Sequence, residues 1–107
     1  MTLTENQRKH LRKLAHNLKP VIIVGGNGAS ESLLAELDST IAHHELIKVK
    51  IAAGDRDDRD AVIEEILKAS GAVLVNRIGN IATLYRAPKK TTDKKGVKIV
   101  PKITLPK

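Results

Sequence analysis

The chain has 107 residues, of which 41% are hydrophobic, and a formal net charge of +7. This length supports one domain with a single core of modest size. The chain contains no cysteine, which excludes disulfides and thiolate metal sites, and no apolar run approaches the ~18 residues of a membrane helix. These features favour a cytoplasmic protein that does not bind a membrane.

The positive charge is concentrated at the two ends of the chain. Residues 1–20 contain five basic residues and one acidic residue, and residues 86–107 contain eight basic residues and one acidic residue. The segment between them contains six basic and ten acidic residues. This distribution is typical of a surface that binds a polyanion, although ordinary solubility charge is the alternative. Tyr85 is the only aromatic residue. The chain therefore offers almost no aromatic surface on which nucleic-acid bases could stack.

The first predicted helix starts with a capping box formed by Thr4 and Gln7, and it ends before Pro20. At 100° per residue, Leu11, Leu14 and Leu18 share one side, which predicts a buried leucine stripe. The other side is a basic face, which is either a solvated helix surface or a binding surface. Its members are Arg8, Lys9, Arg12, Lys13, His16 and Lys19.

A short apolar run and a glycine loop follow this helix. Residues 21–24 (VIIV) are apolar without alternation, which predicts a central strand covered on both faces. Gly25 and Gly28 then form a Gly-x-x-Gly loop, and Ser30 is suited to cap the next helix. The unpaired amides and positive dipole end of that helix suit a phosphate, although such glycines are often only a turn.

The middle of the chain predicts two helices separated by a strand. Leu33, Leu34, Leu37 and Ile41 recur at helical spacing after Ser30. Residues 46–51 alternate as a strand, with Ile47, Val49 and Ile51 on one face and Lys48 and Lys50 on a solvated basic face. The aspartate-rich loop of residues 54–60 then caps a third helix, which Gly71 ends.

Residues 73–78 and 81–86 flank Gly79 and Asn80, which predicts a β-hairpin. Which hairpin face is buried stays open, because each gathers apolar residues. One face groups Val73, Val75, Ala82 and Leu84, and the other groups Leu74, Ile78, Ile81 and Tyr85.

The predicted fold is a compact α/β domain with the order α-β-α-β-α-β-β, in which the helices pack on a four-stranded mixed sheet. The domain comprises residues 1–87. Residues 88–107 form a lysine-rich tail, in which residues 97–100 could add a short edge strand.

The sequence does not have the residue spacing of the cofactor-binding, metal-binding and catalytic motifs that it partly resembles. The glycine loop lacks the Gly-Lys-Ser/Thr of a nucleotide-phosphate loop, and Glu31 stands where a dinucleotide fingerprint needs its third glycine. The aspartates of residues 55–60 lack the glycine and the closing glutamate of a calcium loop, since Ile66 occupies the twelfth position. His43 and His44 are adjacent and have no evident third ligand. No serine is placed as an activated nucleophile, so we expect no enzyme, cofactor or metal site.

Several linked motifs resemble the CRM domain family (chloroplast RNA splicing and ribosome maturation), in particular its stand-alone bacterial members of the YhbY type. The matching stretches are residues 11–16, 18–21, 25–28, 43–50, 78–79 and 84–86, and the resemblance covers about residues 1–87. It implies a fold similar to the C-terminal domain of translation initiation factor three. It also implies RNA binding, association with precursors of the large ribosomal subunit and a role in ribosome assembly. Ala29 and Ser30 depart from the bulkier residue and threonine common after the loop.

The leading hypothesis is therefore an RNA-binding assembly factor, monomeric when free, whose partner is 23S ribosomal RNA in pre-50S particles. We expect the first helix to flank the glycine loop, with Lys48 and Lys50 widening the footprint if they share that face. The alternative is a protein-interaction module that docks to a ribosomal protein or an assembly GTPase through the hairpin. The predicted RNA-binding residues are Arg8, Lys9, Arg12, Lys13, Lys19, Gly25, Gly26, Asn27, Gly28, Lys48 and Lys50.

Overall fold

The computed structural model describes residues 3–52 and 54–87. The predicted tail of residues 88–107, with its short strand, lies outside the described residues. The predicted order α-β-α-β-α-β-β is confirmed, and none of the helices in the described ranges is long and apolar enough to cross a membrane. The elements are α1 (Glu5–Ala15), β1 (Pro20–Val24), α2 (Glu31–His44), β2 (Leu46–Ile51), α3 (Arg56–Ser70), β3 (Val73–Ile78) and β4 (Ile81–Tyr85).

The four strands form one mixed sheet in the order β1-β2-β4-β3. β1 pairs parallel to β2, whereas β4 pairs antiparallel to both β2 and β3. The carboxyl ends of β1, β2 and β3 therefore lie together at one end of the sheet, which we call the loop end. Two hydrogen bonds connect the strand ends and loops at this end of the sheet. The Ala52 amide donates to the Val24 carbonyl at 2.8 Å, and the Ile51 amide donates to the Asn80 carbonyl at 2.7 Å.

Each helix begins at a side-chain cap. Thr4 and Gln7 form the predicted capping box of α1, and the Ser30 hydroxyl accepts a hydrogen bond from the Leu33 amide at the start of α2. Asp55 and Asp58 form a second capping box at the start of α3. Two aspartates of the predicted loop thus satisfy helix-end amides, as expected from their preference for that position.

The main core lies between the sheet and the pair α2 and α3. β1 contributes only Ile22 and Val24 to it, because Val21 and Ile23 are 51% and 64% exposed. The predicted central position of β1 is wrong: it is an edge strand with one covered face. The buried members of this core are Ile22, Val24, Leu37, Ile41, Ile47, Val49, Ile51, Ile63, Ile66, Ala72, Ala82 and Leu84.

α1 packs on the opposite face of the sheet and forms a smaller core there. The helix buries Leu11 and Ala15, whereas Leu14 and Leu18 are 42% and 39% exposed. The predicted leucine stripe is therefore wrong in two of its three members. The buried residues of this second core are Leu3, Leu11, Ala15, Leu46, Val75 and Tyr85.

A β-bulge in β3 decides how the hairpin divides between the two cores. The register shifts between Leu74 and Asn76, so that Val73 lies opposite Tyr85 and Leu74 opposite Leu84. An extra residue in one strand reverses the alternation of its side chains beyond that point. Leu74 consequently packs with Leu84 in the main core, and Val73 packs with Tyr85 in the second core. Neither of the two predicted groupings is correct.

Two arginines donate hydrogen bonds to backbone carbonyls that are partly or wholly buried. Arg8 of α1 donates from Nη1 to the carbonyls of Leu74 and Val75, at 2.7 and 2.6 Å, beside the bulge. Arg86, which is 8% exposed, donates to the Asp38 carboxylate at 2.6 Å and to the Ser70 carbonyl at 2.8 Å. Arg86 thereby joins the chain after β4 to α2 and to the last turn of α3.

We predict that Arg8→Gln lowers the free energy of unfolding by about 1.5–3 kcal/mol, because hydrogen bonds from a charged donor to two carbonyls are lost. Lys9→Gln is the matched control, since Lys9 is the next residue of α1 and is exposed. Urea unfolding followed by circular dichroism measures both. Equal stability of the two variants would contradict a structural role for Arg8.

We predict that Tyr85 makes stability fall at alkaline pH. Burial, and secondarily the negative charge of Glu45, raises the pKa of the Tyr85 hydroxyl above its ordinary value. A folded-state pKa above the unfolded value stabilises the protein below the unfolded pKa of about 10, and this contribution is lost as pH rises through the folded pKa. The free energy of unfolding of wild type should therefore drop more steeply above pH ~10 than that of Tyr85→Phe, which removes the ionising hydroxyl. Parallel curves would show that Tyr85 does not contribute.

Candidate nucleic-acid interface

Cations from α1 and β2 meet in a groove of about 380 Å³ on the α1 side of the sheet. Arg12 and His16 line it from the carboxyl end of α1, and Lys48 lines it from β2. No carboxylate lines this groove, and Asn76 and Thr83 supply neutral polar groups. The full lining is Arg12, Ala15, His16, Lys48, Asn76, Ile78, Ile81 and Thr83.

Lys48 and Lys50 share the face of the sheet on which α1 packs. Lys48 is half-buried in the groove, and Lys50, two residues along the same strand, is exposed and lies opposite Ile23 of β1. The opposite face of β2 carries Ile47, Val49 and Ile51 in the main core, as predicted. The two lysines therefore extend the surface that begins with the basic residues of α1.

α1 leaves part of this face uncovered, and the uncovered part mixes lysine with aliphatic side chains. Ile78 of β3 is 73% exposed, and Val21 and Ile23 of β1 are exposed at the opposite edge of the same face. We call this part the open sheet face. It comprises Val21, Ile23, Lys48, Lys50, Ile78 and Ile81.

The Gly-x-x-Gly loop lies at the loop end, between β1 and α2. The Gly28 amide donates to the Gly25 carbonyl at 3.1 Å, which closes a β-turn. The neighbouring amides of Asn27 and Ala29 have no hydrogen-bond partner among the residues that the structure describes. They precede the amino end of α2, where the helix dipole favours an anion.

The three glycines of this loop differ in what the fold requires of them. Gly28 has φ +60°, a left-handed conformation that disfavours other residues, and a Cβ there would lie 3.5 Å from Val62 Cγ2. Gly25 and Gly26 do not have positive φ, and a Cβ on either would meet no atom within 4 Å. A side chain at Gly26 would thus change what can approach the loop and leave the fold intact.

Two carboxylates limit where an anion could lie near the loop. Asp58 of α3 lines the small cleft of about 140 Å³ between the glycine turn and Gly54, and Glu31 occupies the first turn of α2. Because a phosphate inside that cleft would meet the Asp58 carboxylate, the outer side of the turn formed by residues 25–27 is the favourable approach.

The predicted RNA-binding residues fall into separate groups. α1 leads into the amino end of β1, whereas the glycine loop follows its carboxyl end, so the five residues of β1 separate them by about 15 Å at ~3.3 Å per residue. α1 therefore does not flank the loop as predicted. Arg8 is engaged with β3, as described above. Lys9, Arg12, Lys13 and Lys19 are exposed, and Arg12 also lies 3.8 Å from Glu5.

The structure gives no support for a metal site in the described ranges. No group of three histidine, cysteine or acidic residues there could hold a metal ion. His43 and His44 lie at the end of α2 with their ring centroids 4.7 Å apart, in an edge-to-face arrangement.

The sequence reasoning missed several polar residues near this surface. Asn76 lines the groove because of the β3 bulge, whose position no sequence signal indicated. Thr83 lines it because it alternates along β4 with residues that face the main core. Arg56 and Arg59 lie at the start of α3, next to the loop end. The rule that ligands bind beyond the carboxyl ends of strands would have drawn attention to them.

Comparisons with known proteins agree on one family. The sequence matches the CRS1 / YhbY (CRM) domain over residues 3–86. It is 46% identical over 85 residues to an RNA-binding protein of Haemophilus influenzae, covering 79% of this chain and 86% of that protein. It is 48% identical over 86 residues to a probable RNA-binding protein of Pseudomonas aeruginosa, covering 80% and 83%.

A solved structure extends the agreement to the fold. The solution structure of a Staphylococcus aureus protein, described as a candidate RNA-binding protein, superposes with a TM-score of 0.75 at 32% identity. The superposition covers 98% of this chain and 100% of that one. The family and the named relatives also agree with the expectation that the protein is not an enzyme. The chain belongs to the CRS1/YhbY (CRM) domain family.

Proposed function

We propose that this protein is an RNA-binding factor that acts in assembly of the large ribosomal subunit and binds ribosomal RNA mainly through its backbone. The observation that carries this proposal is the groove in which Arg12, His16 and Lys48 meet without a carboxylate. The relatives named as RNA-binding proteins support the same conclusion.

Recognition of the RNA backbone follows from the side chains that are available. Tyr85, the single aromatic residue, is 2% exposed in the second core and cannot stack on a base. Cationic side chains and backbone amides remain, and both recognise phosphate. Exposed Ile23 and Ile78 offer aliphatic contacts for ribose or base faces next to Lys48 and Lys50.

The proposed path of the RNA runs from the exposed cations of α1, across the groove and the open sheet face, to the glycine loop. There the amides of Asn27 and Ala29 would receive a phosphate near the amino end of α2. The path joins the two separated groups of predicted residues through Lys48 and Lys50. Arg8 is left out of it, because its guanidinium is occupied by β3.

The identity of the partner rests on the family resemblance. We propose 23S ribosomal RNA in pre-50S particles as the target, a monomeric free protein and a cytoplasmic location. We further propose that residues 1–87 form the RNA-binding domain and that the basic tail of residues 88–107 adds electrostatic attraction.

The second candidate is a protein-interaction module that docks through the hairpin to a ribosomal protein or an assembly GTPase. The exposure of Ile78, at 73%, is the observation that favours it. Nuclease treatment of a lysate before sedimentation separates the two functions. Loss of co-migration with large-subunit particles supports RNA contact, whereas persistent association with a free protein supports docking.

We predict that the double variant Arg12→Glu, Lys13→Glu binds RNA much more weakly than Lys94→Glu, Lys95→Glu, which makes the same charge change in the tail. For wild type, log K should fall with log salt by about 0.7 for each single-strand phosphate contacted. Fluorescence anisotropy with a labelled oligoribonucleotide over a salt series measures both quantities. An affinity that does not change with salt would refute the electrostatic interface. A larger loss of affinity in the tail variant would indicate that the RNA-binding site lies in the tail.

We predict that Gly26→Asp weakens RNA binding about tenfold, or about 1.4 kcal/mol, because it places a carboxylate where a phosphate would approach. The thermal midpoint should stay unchanged, since a Cβ at Gly26 meets no atom within 4 Å. Ser39→Asp is the control, because it adds the same charge at an exposed position in the second half of α2. If both variants bind RNA as wild type does, the glycine loop is only a turn.

A further inference from the structure

Three arginines surround a second cleft at the loop end, outside the groove and the glycine loop. The cleft has a volume of about 400 Å³ and lies between the start of α3 and the β3–β4 turn. Its lining residues are Arg56, Arg59, Arg77 and Gly79. None of these residues belongs to the interface predicted from the sequence.

The cleft carries an excess of positive charge. Its lining contains three guanidinium groups and no carboxylate. Asp60 forms an ion pair with Arg77, and the exposed Asp57 stands in the first turn of α3. The side chain of Arg56 has no hydrogen bond or ion pair with any residue in the described ranges. Like charges repel, so a bound anion would be attracted by the guanidinium groups and would reduce the repulsion between them.

Two of the arginines are held in place by the protein. Arg77 is fixed by Asp60 and by a hydrogen bond of 3.3 Å from Nε to the Gly79 carbonyl. Arg59 donates from Nη1 to the Gly54 carbonyl at 3.2 Å, and its buried Nε has no hydrogen-bond partner. Side chains that are already ordered lose less entropy on binding. A guanidinium also matches the geometry of a phosphate better than an ammonium does.

This cleft and the glycine loop share the loop end of the sheet. Gly54 lies between them, because it lines the small cleft beside the glycine turn and accepts the hydrogen bond from Arg59. β1 and β3 are the two edge strands of the sheet. Three spacings of ~4.8 Å between strands place the β3–β4 turn roughly 14 Å from the glycine loop. One nucleic-acid strand can therefore pass both sites.

We propose that the Arg56–Arg59–Arg77 cleft is a second phosphate-binding subsite for the same RNA strand that passes the glycine loop. This inference rests on the proposed function. The strand crosses the loop end from β1 to β3, and its phosphodiester groups contact the amino-terminal region of α2 and then the arginines beside α3. The subsite extends the interface to the edge opposite β1.

The test compares Arg56→Gln with Lys68→Gln, using a labelled single-stranded oligoribonucleotide and anisotropy over a salt series. Both residues are exposed on α3, both variants remove one positive charge, and Lys68 lies in the last turn of the helix, away from the cleft. Arg56→Gln should lower affinity about three- to tenfold and reduce the salt slope by about 0.7, the value for one single-strand phosphate. Lys68→Gln should stay within about twofold of wild type, because no phosphate contact is lost.

Adding Arg59→Gln to Arg56→Gln should reduce the salt slope by about 1.4 in total, with thermal unfolding measured to check that the fold persists. Arg56→Lys should recover only part of the affinity, since it restores the charge without the planar fork.

The outcomes separate this inference from the proposed function. Equal binding by Arg56→Gln and Lys68→Gln, while Arg12→Glu, Lys13→Glu binds weakly, overturns the subsite and leaves the proposed function standing. Absence of salt-dependent binding by wild type overturns both. If Arg56→Gln loses most of its RNA affinity while Arg12→Glu, Lys13→Glu binds RNA normally, the cleft is supported as a phosphate-binding subsite. The same result refutes RNA binding by the basic surface of α1.

Discussion

The pairing of β2 with a parallel strand on one side and an antiparallel strand on the other is the constraint on which the rest of the structure depends. Together with the antiparallel pairing of β4 and β3, it brings the carboxyl ends of β1, β2 and β3 to one end of the sheet. The glycine turn, the start of α3 and the hairpin turn meet there for that reason. β2 also divides its side chains, so that Ile47, Val49 and Ile51 enter the main core while Lys48 and Lys50 face the other way.

The two faces of the sheet are covered unequally, which leaves the open sheet face available for the proposed RNA contact. α2 and α3 bury one face in the main core. α1 covers only part of the other, and the remainder presents lysines together with exposed Ile23 and Ile78. Because the only aromatic residue is buried, this surface offers charge, amides and aliphatic contact. That combination suits a nucleic-acid backbone better than it suits unstacked bases.

The arginines show that a positive charge in the sequence does not by itself indicate a side chain that is available to bind a ligand. Arg8 belongs to the basic side of α1 by helical spacing, yet its guanidinium satisfies two carbonyls at the β3 bulge. Arg86 stands at the start of the basic C-terminal segment in the sequence, but its side chain is buried against Asp38 and Ser70. Arg56 lies among aspartates in the sequence, yet it lines a cleft that contains no carboxylate.

Local patterns in the sequence determined the order of elements, the three helix caps, the two faces of β2 and the hairpin turn. Capping, helical spacing and strand alternation act over a few residues, so they are readable without the fold. Only the tertiary structure decided that β1 is an edge strand, that Leu14 and Leu18 stay exposed, and that the bulge divides the hairpin between two cores. These outcomes depend on which residues of distant elements come to cover a face. The glycine loop was visible in the sequence, whereas its separation from α1 and its position at the same end of the sheet as Arg56 and Arg59 follow from the topology of the sheet.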